Sequence, residues 1–254
     1  SAYSDSCLAH ARAYAEEITQ RLGLTDQSQV VELASNDGYL LQHFVARGVP
    51  VLGVEPCAGV ADAGEAIGVP AIKEFFGVPL AERIAGERRQ ADLIIGNNVL
   101  AHVPDLNDFV AGMKRLLAPG GVITMEFPHL MKLMALNQFD TIYHEHFSYF
   151  SFLAVEKVFA GHGLTLFDVD HHARYALRVE ACIKKPVDTD FEFLGQRFFS
   201  PAHLPGQRHA VDLPGLHANT RLGGRNGPAV KTDGLVKSAV VQARLLPPQR
   251  QQVL

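Results

Sequence analysis

Residues Val30 to Leu41 read VVELASNDGYLL. Val30 to Ala34 is a short apolar run rich in β-branched side chains. That composition suits a buried central strand, with Glu32 as its one polar member. Ser35, Asn36, Asp37 and Gly38 each favour a turn. From Tyr39, the spacing of Leu40, Leu41 and Phe44 begins a helix that Gly48 can end. The stretch therefore predicts strand, tight turn, helix. Gly38 would let a ligand approach the backbone closely, and N–H groups opening the helix favour polar or anionic ligand groups. An α/β unit with no ligand reads the same way, so the neighbouring segments have to decide.

The next segment ends in an acid. Val51 to Glu55 (VLGVE) is a second strand, and Glu55 stands about twenty residues past the turn, where the acid of a Rossmann-like sheet accepts from two ribose hydroxyls. The alternative is a solvated Glu ahead of Pro56. Cys57 to Ile67 predicts a helix stopped by Gly68, and Val69 to Ile72 a short third strand. Phe75 and Phe76 follow, where such sheets put a base. Either ring can cover its face, and either can be ordinary core. Pro79 to Gly86 is helical.

Ala91 to Gly96 (ADLIIG) is the fourth strand, and Asn97, Asn98 and His102 lie just beyond its C-terminal end, the side on which open α/β sheets bind ligands. Asp105 can cap a helix with Leu106, Phe109, Val110, Met113, Leu116 and Leu117 on its apolar face. Ala118 to Gly121 breaks it, and Val122 to Phe127 is the fifth strand. Five rounds of alternation predict a doubly wound, mostly parallel sheet. Ahead of all this, Ser4 to Leu22 places Leu8, Ala11, Ala15, Ile18 and Leu22 on one helical face, with Ser6 as cap and Gly23 as stop. Its role is to pack over the sheet edge or to lid a site.

Composition excludes several classes. With 47% hydrophobic residues, 20% charged residues and a net charge of −4, nothing calls for nucleic acid or a membrane surface. No apolar run is long enough to span a bilayer, and Ser1 opens no signal-peptide pattern. Cys7, Cys57 and Cys182 are far apart and form no C-x-x-C, which argues against a disulfide framework or zinc ribbon. A reducing, cytoplasmic setting is expected.

Pro128 to Gln138 is a short helical connection, followed by FDTIYHEHFSYFS at residues 139–151. Two histidines, a glutamate and two tyrosines fall within seven positions, past the fifth strand on the ligand side. One reading is acid–base catalysis, since a histidine titrates near neutral pH and a tyrosine hydroxyl can steady an oxyanion. A second is a metal site, but His144 and His146 supply only two ligands. A third is a polar aromatic hairpin that satisfies itself. Spacing alone does not say which histidine faces a substrate. Phe152 to His162, capped by Ser151, is a helix. Leu164 to Val169 and Tyr175 to Ile183 are strands that could add an antiparallel edge.

This order resembles the class I S-adenosylmethionine-dependent methyltransferases. The resemblance rests on VELASNDG, GVEP, DLIIGNNVLAHV and LAPGG before a strand. It implies S-adenosylmethionine as cofactor, with Asn36, Asp37 and Gly38 facing the methionine part, Glu55 on the ribose, and Glu32 and Ser35 also among the cofactor-binding residues. It also implies Phe75 and Phe76 near the base, with Asn97, Asn98 and His102 along the cofactor and reacting methyl. The block FDTIYHEHFSYFS, the opening SDSxLAHA and the later FAGHGLTLFDV are similar to the C-methyltransferases of nucleotide-linked deoxysugars, over about Ser1 to Ile183. That family methylates C3 of a dTDP-linked 4-keto-6-deoxyhexose. Carried over, His146 is the base, Tyr143 and Glu145 assist, no metal is needed, and the partner is a small nucleotide sugar.

Departures from the family accompany the match. Its members usually carry an N-terminal cysteine-rich zinc module, and this chain begins after where that would end. The usual H-G-G-S before L-R-V is replaced by Ala173-Arg174-Tyr175-Ala176. Residues 186–254 hold seven of the fourteen prolines and carry eight Lys/Arg against five Asp/Glu, with no likeness to the family's second α/β domain. The expected organisation is an N-terminal helix (1–29), a methyltransferase domain (30–185) and an atypical Pro/Gly/basic region (186–254), read as a poorly ordered tail or a remnant. The expected function is C-methylation of the keto-deoxysugar. The alternatives are a catalytically impaired cofactor-binding remnant, or a methyltransferase for another small keto acceptor.

Overall fold

The computed structural model describes residues 5–87, 89–171 and 178–184. The altered Ala173–Ala176 stretch and the region 186–254 lie outside them.

Seven strands form one sheet: β1 (Val30–Leu33), β2 (Val51–Val54), β3 (Ala71–Ile72), β4 (Ala91–Asn97), β5 (Leu117–Pro128), β6 (Thr165–His171) and β7 (Arg178–Lys184). Their order is β3-β2-β1-β4-β5-β7-β6. The pairings from β3 to β5 are parallel, and β7 runs antiparallel between β5 and β6. This is the expected Rossmann-like, doubly wound sheet with an antiparallel edge. Strand order reverses between β1 and β4, and a crevice opens beyond their C-terminal ends at such a switch point.

The helices are α1 (Asp5–Leu22), α2 (Gln42–Val45), α3 (Ala58–Ala66), α4 (Val78–Glu87), α5 (Leu106–Leu116), α6 (Leu130–Ala135) and α7 (Phe152–Gly161). Alternating side chains on the central strands feed two cores. Val31, Leu33, Ile94 and Ile123 pack with Ile84 of α4, Met113 of α5 and Phe159 of α7. Val30, Leu93 and Ile95 pack with Ala15 and Ile18 of α1 and Phe44 of α2. Each fully buried side chain of this size contributes roughly 1.5–3 kcal/mol.

Three local expectations change. Ser6 lies inside the first turn of α1 rather than capping it, and α1 packs on the sheet's face rather than its edge: Tyr14 bonds Thr124 of β5 (Oη–Oγ1, 2.5 Å). Tyr39 to Leu41 is not α-helical, because His43 N–H bonds the Leu40 carbonyl (3.1 Å) and Phe44 N–H the Leu41 carbonyl (3.0 Å). These i→i+3 bonds tighten the chain where Leu40, Leu41 and Phe44 are all buried, leaving α2 only four residues. The helix α5 ends at Leu116 as expected, but β5 begins at Leu117 rather than Val122 and takes in the stretch Ala118 to Gly121. That stretch bulges out within the strand, since Leu117 pairs with Ala91 and Val122 with Leu93, and Gly120 takes φ +79°.

Candidate active site

The turn after β1 places three residues in the left-handed region: Ala34 (φ 59°), Asn36 (51°) and Gly38 (73°). Glu55, 7% exposed at the end of β2, braces this turn. Its Oε2 accepts from Asn36 N–H (3.1 Å) and its Oε1 from Cys57 N–H (2.9 Å). The Asn36 N–H within the turn is thus taken up by a protein carboxylate. Gly38 likewise serves packing: a Cβ there would meet Val69 Cγ2 at 3.0 Å and Gly64 Cα at 3.3 Å. The close approach at Gly38 is made by β3's lead-in and α3, not by open ligand space.

Beside this turn lies a cavity of about 360 Å³, lined by Cys7 and His10 of α1, Asn36 and Tyr39 after β1, Asn97, Asn98 and His102 at the end of β4, and Glu126 of β5. Of the cofactor residues expected from sequence, the wall takes Asn36, Asn97, Asn98 and His102. It does not take Glu32, Ser35, Asp37, Gly38, Glu55, Phe75 or Phe76. Three buried polar atoms around the turn have no protein partner: Ser35 Oγ, Asn98 Oδ1 and Glu32 Oε2. Glu32 is 1% exposed, and its carboxyl is held well above the usual range, first by burial and then by Asp37 and Glu55. Phe75 and Phe76 part company. Phe75 is 85% exposed, while Phe76 packs edge-on against Phe109 at 5.5 Å between ring centroids.

The Tyr-His-Glu-His segment is pinned to the loop after β4, because Phe147 N–H donates to the Ala101 carbonyl (2.8 Å). That fixes His146 in an aromatic cage: Tyr143 at 4.2 Å and 38°, His102 at 4.7 Å and 73°, Tyr149 at 5.5 Å and 76°. His146 Nδ1 lies 3.0 Å from the Thr141 carbonyl oxygen. A carbonyl only accepts, so Nδ1 carries the proton and Nε2 of the neutral ring keeps its lone pair. Burial, then His102, lowers the His146 pKa from 6.5, against opposing pulls from the Thr141 carbonyl and Glu145. His144 is exposed, as is Glu145, and the tautomer of His146 is set by the Thr141 carbonyl.

Sequence reading passed over His10 and Glu126. His10 Nε2 lies 3.2 Å from Glu126 Oε2, and Glu126 Oε1 accepts from Asn98 Nδ2 (2.9 Å). The signal was present: Glu126 is the one acid in the apolar strand Val122–Phe127, as Glu32 is in β1.

The sheet order and the crevice at its switch point define the class: this is the Rossmann-like fold of the class I S-adenosylmethionine-dependent methyltransferases. It is shared with an S-adenosylmethionine-dependent methyltransferase from Clostridium acetobutylicum ATCC 824 (TM-score 0.54, 12% identity, 69% of this chain and 91% of that one). It is also shared with magnesium protoporphyrin IX methyltransferase from Synechocystis PCC 6803, solved with bound SAH (TM-score 0.54, 11% identity, 69% and 83%). The methyltransferase-domain family model matches residues 8–169, and the chain belongs to that family. Among curated proteins it is similar to the C-methyltransferase NovU of Streptomyces niveus, 40% identical over 164 residues. That alignment takes in 65% of this chain and 39% of NovU, so the chain spans about two fifths of that relative's length.

Proposed function

We propose that the chain is an S-adenosylmethionine-dependent C-methyltransferase whose acceptor is C3 of a dTDP-linked 4-keto-6-deoxyhexose. The reading of carbon as the target is supported by the 40% identity to a protein named a C-methyltransferase. The nucleotide-sugar acceptor is supported by the Tyr143-to-Ser151 motif and its resemblance. The observation that carries the chemistry is the single ring nitrogen of His146 left as a base, Nδ1 being tied to Thr141.

The residues around the cavity suit the cofactor. Asn98, in the cavity wall, has an amide oxygen with no protein donor, and each oxygen of Glu55 accepts one backbone bond and keeps further lone-pair capacity toward ribose hydroxyls. Phe75, exposed beyond β3, is available to cover the base. When bound, S-adenosylmethionine supplies an electrophilic methyl on a sulfonium.

The chain's own work is proton transfer. A C–H next to a ketone is weakly acidic, and His146 Nε2 takes that proton. The resulting enolate carbon then becomes the nucleophile. Tyr143, tilted against the His146 ring, donates to the enolate oxygen. Burial first, and then His102 packed against its ring, disfavour the charged form of His146 and lower its pKa from 6.5. A well-placed base is worth roughly 10²–10⁴ in rate, and holding two substrates together contributes more.

The test is transfer of a labelled methyl from S-adenosylmethionine to a panel of 4-keto sugars with and without thymidine diphosphate. Labelled carbon in the dTDP-linked sugar alone is the expected result. Label in simple keto acids instead would reject the sugar. No transfer by a chain that binds S-adenosylhomocysteine would make it a cofactor-binding remnant.

A further inference from the structure

Glu126 takes no part in the proton chemistry above, yet it is 3% exposed and its carboxylate joins two walls of the cavity. Toward α1 its Oε2 meets His10 Nε2 at 3.2 Å, across a sequence separation of 116 residues. Toward the loop after β4 its Oε1 accepts from Asn98 Nδ2 at 2.9 Å. Its own carbonyl accepts Asn98 N–H at 2.7 Å, which holds Asn98 at φ 55°. A carboxylate only accepts, so the Asn98 amide has one orientation: NH₂ toward Glu126 and Oδ1 away from it. That Oδ1 is buried with no protein partner.

We propose that Glu126 is a positioning residue: it orients the Asn98 amide so that Oδ1 accepts from the ammonium of the cofactor's amino-acid end, and it holds His10, hence the start of α1, as the wall beside it. This rests on the cofactor reading above and adds the group that sets the polarity of that end of the site. An ammonium has three donors and no acceptor, so an amide oxygen that no protein donor occupies is what it requires. If the amide turned over, NH₂ would face NH₃⁺. Hydrogen bonds to charged groups are among the stronger ones, so misorienting this one should weaken binding by about tenfold or more.

The test compares two ligands on the full chain by calorimetry: S-adenosylhomocysteine and 5′-methylthioadenosine, which keeps the adenosine thioether and lacks the amino-acid end. Asn98→Asp sets two carboxylates against each other, and S-adenosylhomocysteine affinity should fall about tenfold or more while that for methylthioadenosine stays within about twofold. Adding Glu126→Gln reverses one hydrogen bond. The Gln amide donates to the new carboxylate at position 98 and its oxygen still accepts from His10, so S-adenosylhomocysteine affinity should return to within about threefold of wild type. Thermal unfolding of each variant without ligand checks that it folds. If both ligands lose affinity equally, or Glu126→Gln fails to rescue Asn98→Asp, the inference is overturned and the cofactor reading stands. If wild type binds neither compound, both fall.

Discussion

The ring of His146 is tied by Nδ1 to the carbonyl of Thr141 at 3.0 Å, five residues earlier in the same loop. Because the partner is a backbone carbonyl, no change of side chain elsewhere can reverse the tautomer, and Nε2 is the only basic nitrogen the neutral ring has. Burial first, then His102, lowers its pKa from 6.5. The acid limb of kcat/KM should therefore have its midpoint below 6.5, with activity lost as His146 gains a proton at lower pH. Replacing His102 by Asn removes a neighbour that disfavours the charge, and the limb should move to higher pH. Glu145→Gln removes one that favours it, and the limb should move lower. Shifts in the opposite directions would reject this account. His146→Ala should abolish transfer and leave S-adenosylhomocysteine affinity nearly unchanged.

The fold was legible because the strands are short apolar runs and the turns after them are chemically specific. VVELASNDG, GVE and ADLIIGNN carry period and punctuation together, and the mostly parallel, doubly wound sheet follows from their alternation with helices. What stayed hidden depends on contacts between distant residues. His10 reads as one more helical residue, and only the docking of α1 on β5 brings it to Glu126. The choice between Phe75 and Phe76 turned on which ring meets Phe109. The choice between His144 and His146 turned on a loop conformation that no periodicity encodes.

Glu55 has two duties, and two substitutions separate them. It accepts from Asn36 and Cys57 N–H groups, and it is the ribose acceptor in the proposed complex. Glu55→Gln keeps one acceptor oxygen and places an NH₂ against one of those donors. Glu55→Ala orphans both donors, at about 1–3 kcal/mol for each one kept from water. Both should weaken S-adenosylhomocysteine binding. Glu55→Ala should also lower the melting temperature by several degrees, and Glu55→Gln, which orphans one donor rather than two, by less. Unchanged affinity in both would remove the ribose role.

The adjacent phenylalanines predict opposite phenotypes. Phe76 packs on Phe109 beside the α4–α5 core, so Phe76→Ala should destabilise by about 2 kcal/mol or more in chemical denaturation. Phe75 is 85% exposed and supports nothing in the free protein. Phe75→Ala should leave the denaturation midpoint in place and weaken adenosine-containing ligands, including 5′-methylthioadenosine. A stable Phe75→Ala chain with full affinity would show that the base is covered by something else.

Glu32 gives the sharpest test of the electrostatics beneath the turn. Its carboxyl is buried between strands, one oxygen lacks a partner, and burial followed by Asp37 and Glu55 holds its pKa well above 4.5. The folded chain therefore keeps a proton that the unfolded chain releases above 4.5. The stability tied to this group is fully present below that value and is lost as pH rises through the folded pKa. Wild-type melting temperature should accordingly decline as pH rises above 4.5, until the folded carboxyl has also ionised. Glu32→Gln is isosteric with the neutral acid and has no proton to lose, so its decline over the same range should be shallower. At the alkaline end the variant should be the more stable protein. Parallel curves for the two would mean that Glu32 is ionised in the native state and that its charge is met by a partner within the turn.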